Sequence, residues 1–282
     1  MQARGADREA WLARTEGVRT LKLTIAYDGT NYAGWQRQIN GLGIQQVLED
    51  EIAIIVGAHN PLNAAGRTDS GVHAAAQVAS ITIDHPIACD ELLKALNARL
   101  KAGDIRIRAI EEMPDRWDAR IFAKSKTYRY AIWNGAVPSP FFRHVVWHVP
   151  QALDVDRMAR ATEALIGEHD FAAFQGRGTD VKTTIRRVLS AEMTEMNIHA
   201  DQPIALSPLD PAAAELGRLL RFEISGTGFL RHMVRTIVGT LADIGRGQLE
   251  VEDMSAIIAS RDRQHAGHNA PPHGLMLWKV QY

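Results

Sequence analysis

One order of strands and helices occurs twice along the chain, and this order is the strongest constraint on its fold. In the first half, Leu21 to Tyr27 alternates as a strand does, and Ile44 to Val56 carries apolar residues at helical spacing. A polar loop then leads to a strand at Gln77 to Ile83. A second helix near Leu92 to Leu100 and a strand at Ile105 to Ile110 follow. This order is βαββαβ, the split βαβ pattern.

The second half has the same order in a longer form. Its expected elements are strands at TYRYAIW and HVVWHV, a helix from Val155 ended by Gly167, strands near Ile185 to Met193 and Leu219 to Ile224, helices from about Gly228 and about Val251, and a final strand LMLWKV. No short repeat of fixed period is present, which argues against a solenoid. We therefore expect an α+β fold of two ferredoxin-like βαββαβ halves, with mainly antiparallel sheets flanking a central active-site cleft.

The expected division of the chain follows from these patterns. Residues 1–18 mix acidic residues and arginines without an apolar core, so they match neither a signal peptide nor a transmembrane segment. We interpret them as a flexible N-terminal tail. An N-terminal α+β domain is expected at 19–115 and a C-terminal one at 116–282.

Charge and cysteine content restrict the partners and the compartment. The chain has 32 Lys and Arg residues against 33 Asp and Glu residues, so no overall field attracts it to a polyanion or a membrane. A nucleic acid would therefore have to bind a local basic patch. The single cysteine, Cys89, excludes an intramolecular disulfide and fits a reducing compartment, so we predict a cytoplasmic protein.

The loop AAGRTDSGVHAAAQV places Arg67, Asp69 and His73 between two apolar runs. Asp followed by Ser and Gly is common in turns, where the carboxylate caps backbone N–H groups. Alternatively, Arg67 and Asp69 lie two apart and point to one side of an extended segment. A carboxylate beside a guanidinium stays ionised, which suits a nucleophile. Both interpretations fit the residues of the loop.

A second cluster lies in SGTGFLRHMVRTIVGTL, residues 225–241, which has an apolar stripe for a buried helix. Arg231 and Arg235 lie four residues apart on another face of the predicted helix. They fit either a solvent-exposed helix edge or contacts with phosphate groups. The two glycines before the helix are compatible with an anion site. A dinucleotide fingerprint is disfavoured because Arg231 replaces the third glycine.

Basic and aromatic residues alternate in KSKTYRY, residues 124–130, and VKTTIRR adds further cations. This combination suits RNA phosphates and stacked bases, although Tyr128 and Tyr130 on one strand face also fit ordinary core packing. His265, His268 and His273 occupy a glycine- and proline-rich segment that fits a surface loop better than a metal site. No pattern in the chain calls for a metal or a cofactor.

Taken in order, YDGTNYAGWQRQ, AAGRTDSGVHA, KTYRY, FLRHMVRTIVG and APPHGLMLWKV resemble motifs of the tRNA pseudouridine synthases of the TruA type. The resemblance runs from about Leu21 to Tyr282. It implies isomerisation of uridines 38, 39 and 40 in the anticodon stem-loop of tRNA, without metal or cofactor, by a homodimer. Ser70 and Met276 depart from the residues that are commoner in the family.

The resemblance also implies roles for individual residues. Asp69 stands at the place of the catalytic nucleophile, and Arg67 at that of the arginine that pairs with it and displaces the target base. Tyr128 matches the residue that stacks on the uracil. Arg235 matches the arginine of the HMVR motif, and Leu275 the apolar residue that closes the pocket. The competing hypotheses are a non-catalytic RNA-binding protein on the same scaffold and a nucleotide-dependent enzyme that uses the Gly226 and Gly228 turn.

Overall fold

The computed structural model describes residues 17–176, 178, 181–196 and 217–282. The flexible tail predicted for residues 1–18 lies outside these residues except at its end, where Val18 already belongs to the first strand. Part of the loop FQGRGTDVKTT, residues 174–184, also lies outside them.

The first half of the chain forms the predicted βαββαβ unit. Its strands are β1 (Val18–Tyr27), β2 (Asn63–Ala64), β3 (His73–Asp84) and β4 (Ile105–Met113), and its helices are α1 (Ile44–Val56) and α2 (Cys89–Arg99). Side chains alternate across a strand, so Leu21, Leu23 and Ile25 of β1 are fully buried while the residues between them are partly exposed. The alternation seen in the sequence is therefore the burial pattern of the strand.

The second half has the expected longer order with one additional strand. Its strands are β5 (Ser125–Asn134), β6 (Trp147–Val149), β7 (Gly167–Asp170), β8 (Ile185–Met196), β9 (Arg218–Gly226) and β10 (Leu275–Gln281), and its helices are α3 (Val155–Thr162), α4 (Met233–Gly245) and α5 (Asp253–Ser260). Helix α4 is buried over most of its length, so the wide apolar stripe is a core face.

Two predicted helix boundaries are wrong. The helix expected from about Gly228 begins at Met233, because His232 has a left-handed φ of 62°, which a right-handed helix does not accommodate. The helix expected to continue to Gly167 ends at Thr162 and is followed by one 3-10 turn. Gly167, with a φ of +115°, instead opens strand β7, which the sequence patterns did not indicate.

All the strands of the described chain lie in one sheet, in the order β4-β1-β3-β10-β5-β9-β8-β7, with β2 beside β3 and β6 beside β5. The pairs are antiparallel except β5 with β6 and β3 with β10. The β3–β10 ladder pairs His73 with Met276 and Ala74 with Leu277. The two halves therefore meet edge to edge at the beginnings of these two strands.

The main hydrophobic core extends through both halves. It contains Leu23 of β1, Tyr130 of β5 and Leu241 of α4, all fully buried. A smaller cluster of Ala65, Val78, Trp117 and Ala119 packs under the end of β10. Of the helices in the described ranges, none is long and apolar enough to span a membrane.

A glycine inside α4 allows the close approach of the loop before β10. A Cβ atom at Gly239 would lie 1.8 Å from the carbonyl oxygen of His268. Alanine normally favours a helix interior by about 1 kcal/mol over glycine, but here it would displace the loop backbone. We expect Gly239→Ala to lower the free energy of unfolding by about 1–3 kcal/mol, measured by urea denaturation.

Gly57, at the end of α1, is the matched control. Its φ is +74° and a Cβ atom there would meet nothing within 4 Å. Gly57→Asn should change stability by less than about 1 kcal/mol, because asparagine tolerates the left-handed region. Equal stabilities of Gly239→Ala and wild type would contradict the packing argument.

Candidate active site

The backbone around Asp69 is held in place by elements of the first half. The buried Thr68 hydroxyl shares a 2.7 Å hydrogen bond with the phenol of Tyr27 on β1. Its carbonyl oxygen accepts a 3.1 Å hydrogen bond from the N–H of Trp35. Gly34, with a φ of +94°, lies so close that a Cβ atom there would be 2.6 Å from the same oxygen. The segment before Asp69 therefore has little freedom to move.

The carboxylate of Asp69 faces the second half of the chain. Its Oδ2 atom lies 3.6 Å from Nη1 of Arg235 on α4 and 3.6 Å from Nε2 of His232, the residue before α4. The Asp69 side chain is 29% exposed, so solvent still reaches it. A partly exposed carboxylate between two basic side chains, where two halves meet, is a suitable arrangement for chemistry on a ligand in the cleft.

Arg235 is held in position by the loop that precedes β10. Its Nε donates a 2.7 Å hydrogen bond to the carbonyl oxygen of Ala270, whose N–H in turn donates to the Arg235 carbonyl at 3.1 Å. Burial lowers the pKa of Arg235 from its usual value, and the nearby Asp69 opposes that change. The 3.6 Å distance between Asp69 and Arg235 brings these two candidate residues into one cluster.

Arg67 does not form the expected ion pair with Asp69. Its side chain is exposed, and within the described ranges it makes no ion pair or hydrogen bond. Asp69 opens a turn in which the N–H of Val72 donates to the Asp69 carbonyl, and its carboxylate turns toward α4. Arg67 lies before this turn, so the two side chains diverge despite their spacing in sequence.

Tyr128 on β5 lies beside this cluster and is 8% exposed. Its ring and that of Phe229 form a T-shaped pair, with 5.1 Å between centroids and an interplanar angle of 83°. Burial raises the pKa of Tyr128, and Tyr27 and Asp69 raise it further, so the phenol stays protonated at neutral pH. Tyr130 is a core residue whose hydroxyl donates to the Pro271 carbonyl at 2.8 Å, as the packing interpretation expected.

Leu275 is the first residue of β10 and is 6% exposed. It pairs with Tyr130 across the antiparallel ladder with β5, in the register that places Leu277 opposite Tyr128. Its side chain belongs to the main core. The structure thus places Leu275 at the junction of the halves, two residues before Leu277, which pairs with Tyr128.

His232 is a site residue that the sequence patterns did not single out. Its Nδ1 lies 3.3 Å from the side-chain nitrogen of Asn269, and its Nε2 faces Asp69. A Cβ atom on Gly176 would lie 2.7 Å from the ring, so little space remains beside it. The only signal in the sequence is a histidine inside an apolar stripe just before a helix.

His73, part of the polar loop, has a structural position instead. Its buried ring accepts a 3.1 Å hydrogen bond from the Gly29 N–H at Nδ1. The other nitrogen, Nε2, lies 2.8 Å from the His144 carbonyl and 3.0 Å from the His273 carbonyl. The ring therefore joins the start of β3 to two loops of the second half.

The other candidate clusters are dispersed. Arg231 precedes α4 and is exposed, so it does not share a helix face with Arg235. Arg129 pairs with Glu223 at 2.5 Å and lies over the Trp278 ring. Gly226 packs against β8, because a Cβ atom there would lie 2.9 Å from the Arg187 carbonyl. Across residues 17–176, 178, 181–196 and 217–282, no group of three or more His, Cys, Asp or Glu residues is placed to hold a metal ion.

Comparisons with known proteins identify the family. A family model described as tRNA pseudouridine synthase matches residues 23–120 and 161–282. The tRNA pseudouridine synthase A of Pelobacter propionicus is 41% identical over 265 residues, which are 94% of this chain and 100% of the relative. Proteins of the same name from Geotalea uraniireducens and Acetivibrio thermocellus are 40% and 39% identical, with the same coverage of both chains.

The chain belongs to the tRNA pseudouridine synthase family, and the resemblance found in its motifs is confirmed. It is therefore an enzyme of the isomerase class. Conversion of uridine to pseudouridine in tRNA is the activity that this membership supports.

The protonation of His232 can be tested through stability. Burial lowers its pKa below the ordinary value of 6.5, Asp69 opposes this, and Arg235, Arg231 and Arg263 lower the pKa further. The unfolded chain therefore binds a proton at a higher pH than the folded chain, so the stabilising contribution is present above 6.5 and is lost as the pH falls. We expect the free energy of unfolding of wild type minus that of His232→Asn to decrease between about pH 7.5 and about pH 5.5.

Asparagine tolerates the left-handed backbone at residue 232, so the backbone cost of the variant should not depend on pH. His265→Asn, at an exposed ring, is the matched control. The ring is not held neutral if the free energy of unfolding of wild type minus that of His232→Asn stays constant or increases on acidification.

Proposed function

We propose that this enzyme isomerises uridines 38, 39 and 40 in the anticodon stem-loop of tRNA, with Asp69 as the catalytic nucleophile. The observation that carries the proposal is the Asp69 carboxylate, 3.6 Å from both Arg235 and His232 where the two halves meet. The choice of stem-loop rests on the TruA-type motifs, and tRNA as the substrate is supported by the relatives named tRNA pseudouridine synthase A.

The reaction needs few groups because it is an internal rearrangement. The N1–C1′ bond of the uridine breaks, the uracil turns, and a C5–C1′ bond forms; C5 loses a proton and N1 gains one. Nothing is oxidised, hydrolysed or transferred from a donor, so we propose that no cofactor takes part. Asp69 can attack C1′, attack C6 of the uracil, or assist departure of the base to a glycal-like intermediate.

The substrate base must leave the RNA stack to reach Asp69, at a cost of a few kcal/mol. Stacking on Tyr128 can offset that cost, since base–aromatic contacts contribute about 1–3 kcal/mol. Tyr128 is only 8% exposed, so Phe229 or another neighbour has to move aside when the base enters. We propose that Leu275 then closes the pocket on its apolar side.

The arginines have separate roles in this proposal. Arg235 faces the carboxylate and keeps it ionised and oriented. Arg67 is exposed, which leaves its guanidinium available for RNA phosphate or for the space vacated by the extruded base. A non-catalytic RNA-binding protein is disfavoured because a carboxylate directed into the cleft would repel phosphates without contributing to affinity.

Assembly and compartment remain predictions. We propose a homodimer acting in the cytoplasm, as the family resemblance and the single cysteine indicate. The molar mass in solution, from light scattering, tests the dimer directly.

Replacement of the nucleophile tests the central assignment. Asp69→Asn removes the charge and keeps the size, so it should lower pseudouridine formation by about 10⁴-fold or more, as loss of a catalytic nucleophile does. Binding of tRNA should change little. The measurement is pseudouridine mapping of an unmodified tRNA transcript, together with filter binding.

Asp90→Asn is the matched control, since its side chain is 71% exposed on the first turn of α2. It should retain wild-type turnover. Substantial turnover by Asp69→Asn would remove the nucleophile assignment.

Two replacements at Tyr128 separate stacking from proton transfer. Tyr128→Phe keeps the ring, so KM should be nearly unchanged, while kcat should fall by about 10²-fold if the phenol relays the C5 proton. Tyr128→Leu removes the ring and should raise KM as well. Steady-state kinetics on the same transcript measures both constants. An unchanged kcat for Tyr128→Phe would exclude a role for the phenol.

A further inference from the structure

Lys126 lies on β5 next to the candidate active site, and none of the roles assigned above uses it. Side chains alternate across a strand, so Lys126 shares a face of β5 with Tyr128, about 7 Å further along. Its ammonium also lies beside the loop of Asp69. A Cβ atom on Gly66 would be 3.3 Å from Cε and 3.7 Å from Nζ of Lys126. Lys126 therefore lies between the proposed stacking residue and the loop that carries the proposed nucleophile.

The ammonium of Lys126 has no partner in the part of the chain that the structure describes. It makes neither an ion pair nor a hydrogen bond there, although the side chain is half-buried. Burial lowers the pKa of Lys126, and the charge of Arg120 lowers it further, with no carboxylate to oppose them. A lysine that is partly removed from water is usually paired with an acidic group. The geometry therefore leaves this cation available to an anionic ligand.

Two further cations lie beside Lys126. Arg67 belongs to the adjoining loop, and Arg120 is close enough to affect the pKa of Lys126. Both guanidinium groups are exposed, and neither is paired with a described residue. The acidic side chain nearest to Arg120 in sequence is Asp118, whose carboxylate accepts hydrogen bonds of 2.8 and 2.9 Å from two backbone N–H groups of its own segment. The surface around Lys126 is therefore positively charged.

A phosphate group is the anion that this position fits. In the proposed reaction the uracil stacks on Tyr128 and the ribose lies at Asp69, so the phosphates bonded to that ribose extend to its neighbours. Lysine binds phosphate as a compact point charge. Such contacts fix the position and orientation of a nucleic acid without reading its sequence. This property suits an enzyme that acts on several uridines.

We propose that Lys126 binds a phosphate group bonded to the ribose of the target uridine and holds that nucleotide in the site. The inference rests on the proposed function and deepens it, because it adds a substrate-binding residue to the same site. The contact is to the RNA backbone, so it should strengthen binding to a similar extent whichever bases flank the target.

The experiment pairs a charge-removing variant with RNAs that lack one phosphate charge. Lys126→Met keeps an apolar stem beside Gly66 and removes the ammonium. Lys94→Met is the matched control, since Lys94 on α2 is 77% exposed and already has an acidic partner, Asp90, at 3.6 Å. The ligands are an anticodon stem-loop RNA and two versions with a neutral methylphosphonate at the phosphate 5′ or 3′ of the target uridine. Fluorescence anisotropy gives Kd between about 50 and 200 mM salt.

Lys126→Met should raise Kd for the unaltered RNA by about 5-fold or more at the lowest salt. The slope of log Kd against log salt concentration should decrease by about 0.7 to 0.9, as expected for loss of one phosphate contact. With wild type, one of the two neutral linkages should cause a similar loss. Lys126→Met should lose nothing further on that RNA, because the two changes remove the same contact. Lys94→Met should bind all three RNAs as wild type does.

Three results would overturn the proposal. The first is an unchanged Kd for Lys126→Met. The second is a weaker Kd with an unchanged salt slope, which would indicate that the lysine only supports the loop. The third is a wild-type Kd that neither neutral linkage affects, and this result does not depend on the folding of any variant.

Turnover of the same RNAs separates this inference from the proposed function. Lys126→Met should raise KM and leave kcat nearly unchanged, because a phosphate contact is present both before and during the reaction. If wild type forms no pseudouridine in the stem-loop, the proposed function fails, and the Kd values still decide whether Lys126 binds a phosphate. If wild type is active and Kd shows no contact, only the inference about Lys126 fails.

Discussion

The parallel pairing of β3 with β10 is the contact on which the arrangement of this enzyme depends. It involves only two residue pairs, His73 with Met276 and Ala74 with Leu277. Such a short ladder contributes little by itself, but the buried His73 ring extends it by contacting carbonyl groups of two loops from the second half. Together these contacts bring the loop of Asp69, which precedes β3, against the beginning of α4.

The site electrostatics follow from that junction. A carboxylate from one half and an arginine from the other are brought to 3.6 Å, and the arginine is 12% exposed. Removing charges from water is unfavourable unless they are paired. Each of the two charges therefore offsets part of the desolvation cost of the other at the interface. The hydrogen bond from Arg235 to the Ala270 carbonyl adds a second, neutral anchor. The pair is therefore oriented before any RNA binds.

His232 shows how a strained backbone can be retained at a site. A non-glycine residue with a φ of 62° is uncommon and has a conformational cost. Here the left-handed residue directly precedes α4. Its imidazole lies between Asp69 and the side chain of Asn269. The ring lies against the proposed catalytic carboxylate.

The order of strands and helices was predictable because it depends on local periodicity and on turn residues. The alternation of Leu21, Leu23 and Ile25 is a property of one strand and its burial. The motifs likewise indicated Asp69 and Arg235 as candidate site residues, but they gave Arg67 as the partner of Asp69, and the structure places Arg235 there instead. In contrast, the ends of α3 and α4 were misplaced, because a left-handed residue at 232 and a 3-10 turn after Thr162 are set by packing and not by periodicity.

By itself, the sequence determined the βαββαβ order of the first half, most of the order of the second half, and the family, since each depends on residue type and short-range spacing. Only the tertiary structure decided that the strands join in one sheet, and that Asp69 faces Arg235 and His232 while Arg67 stays in solvent. These features depend on contacts between residues that are distant in the chain. No local sequence pattern predicts such contacts, because they form only when the two halves pack together.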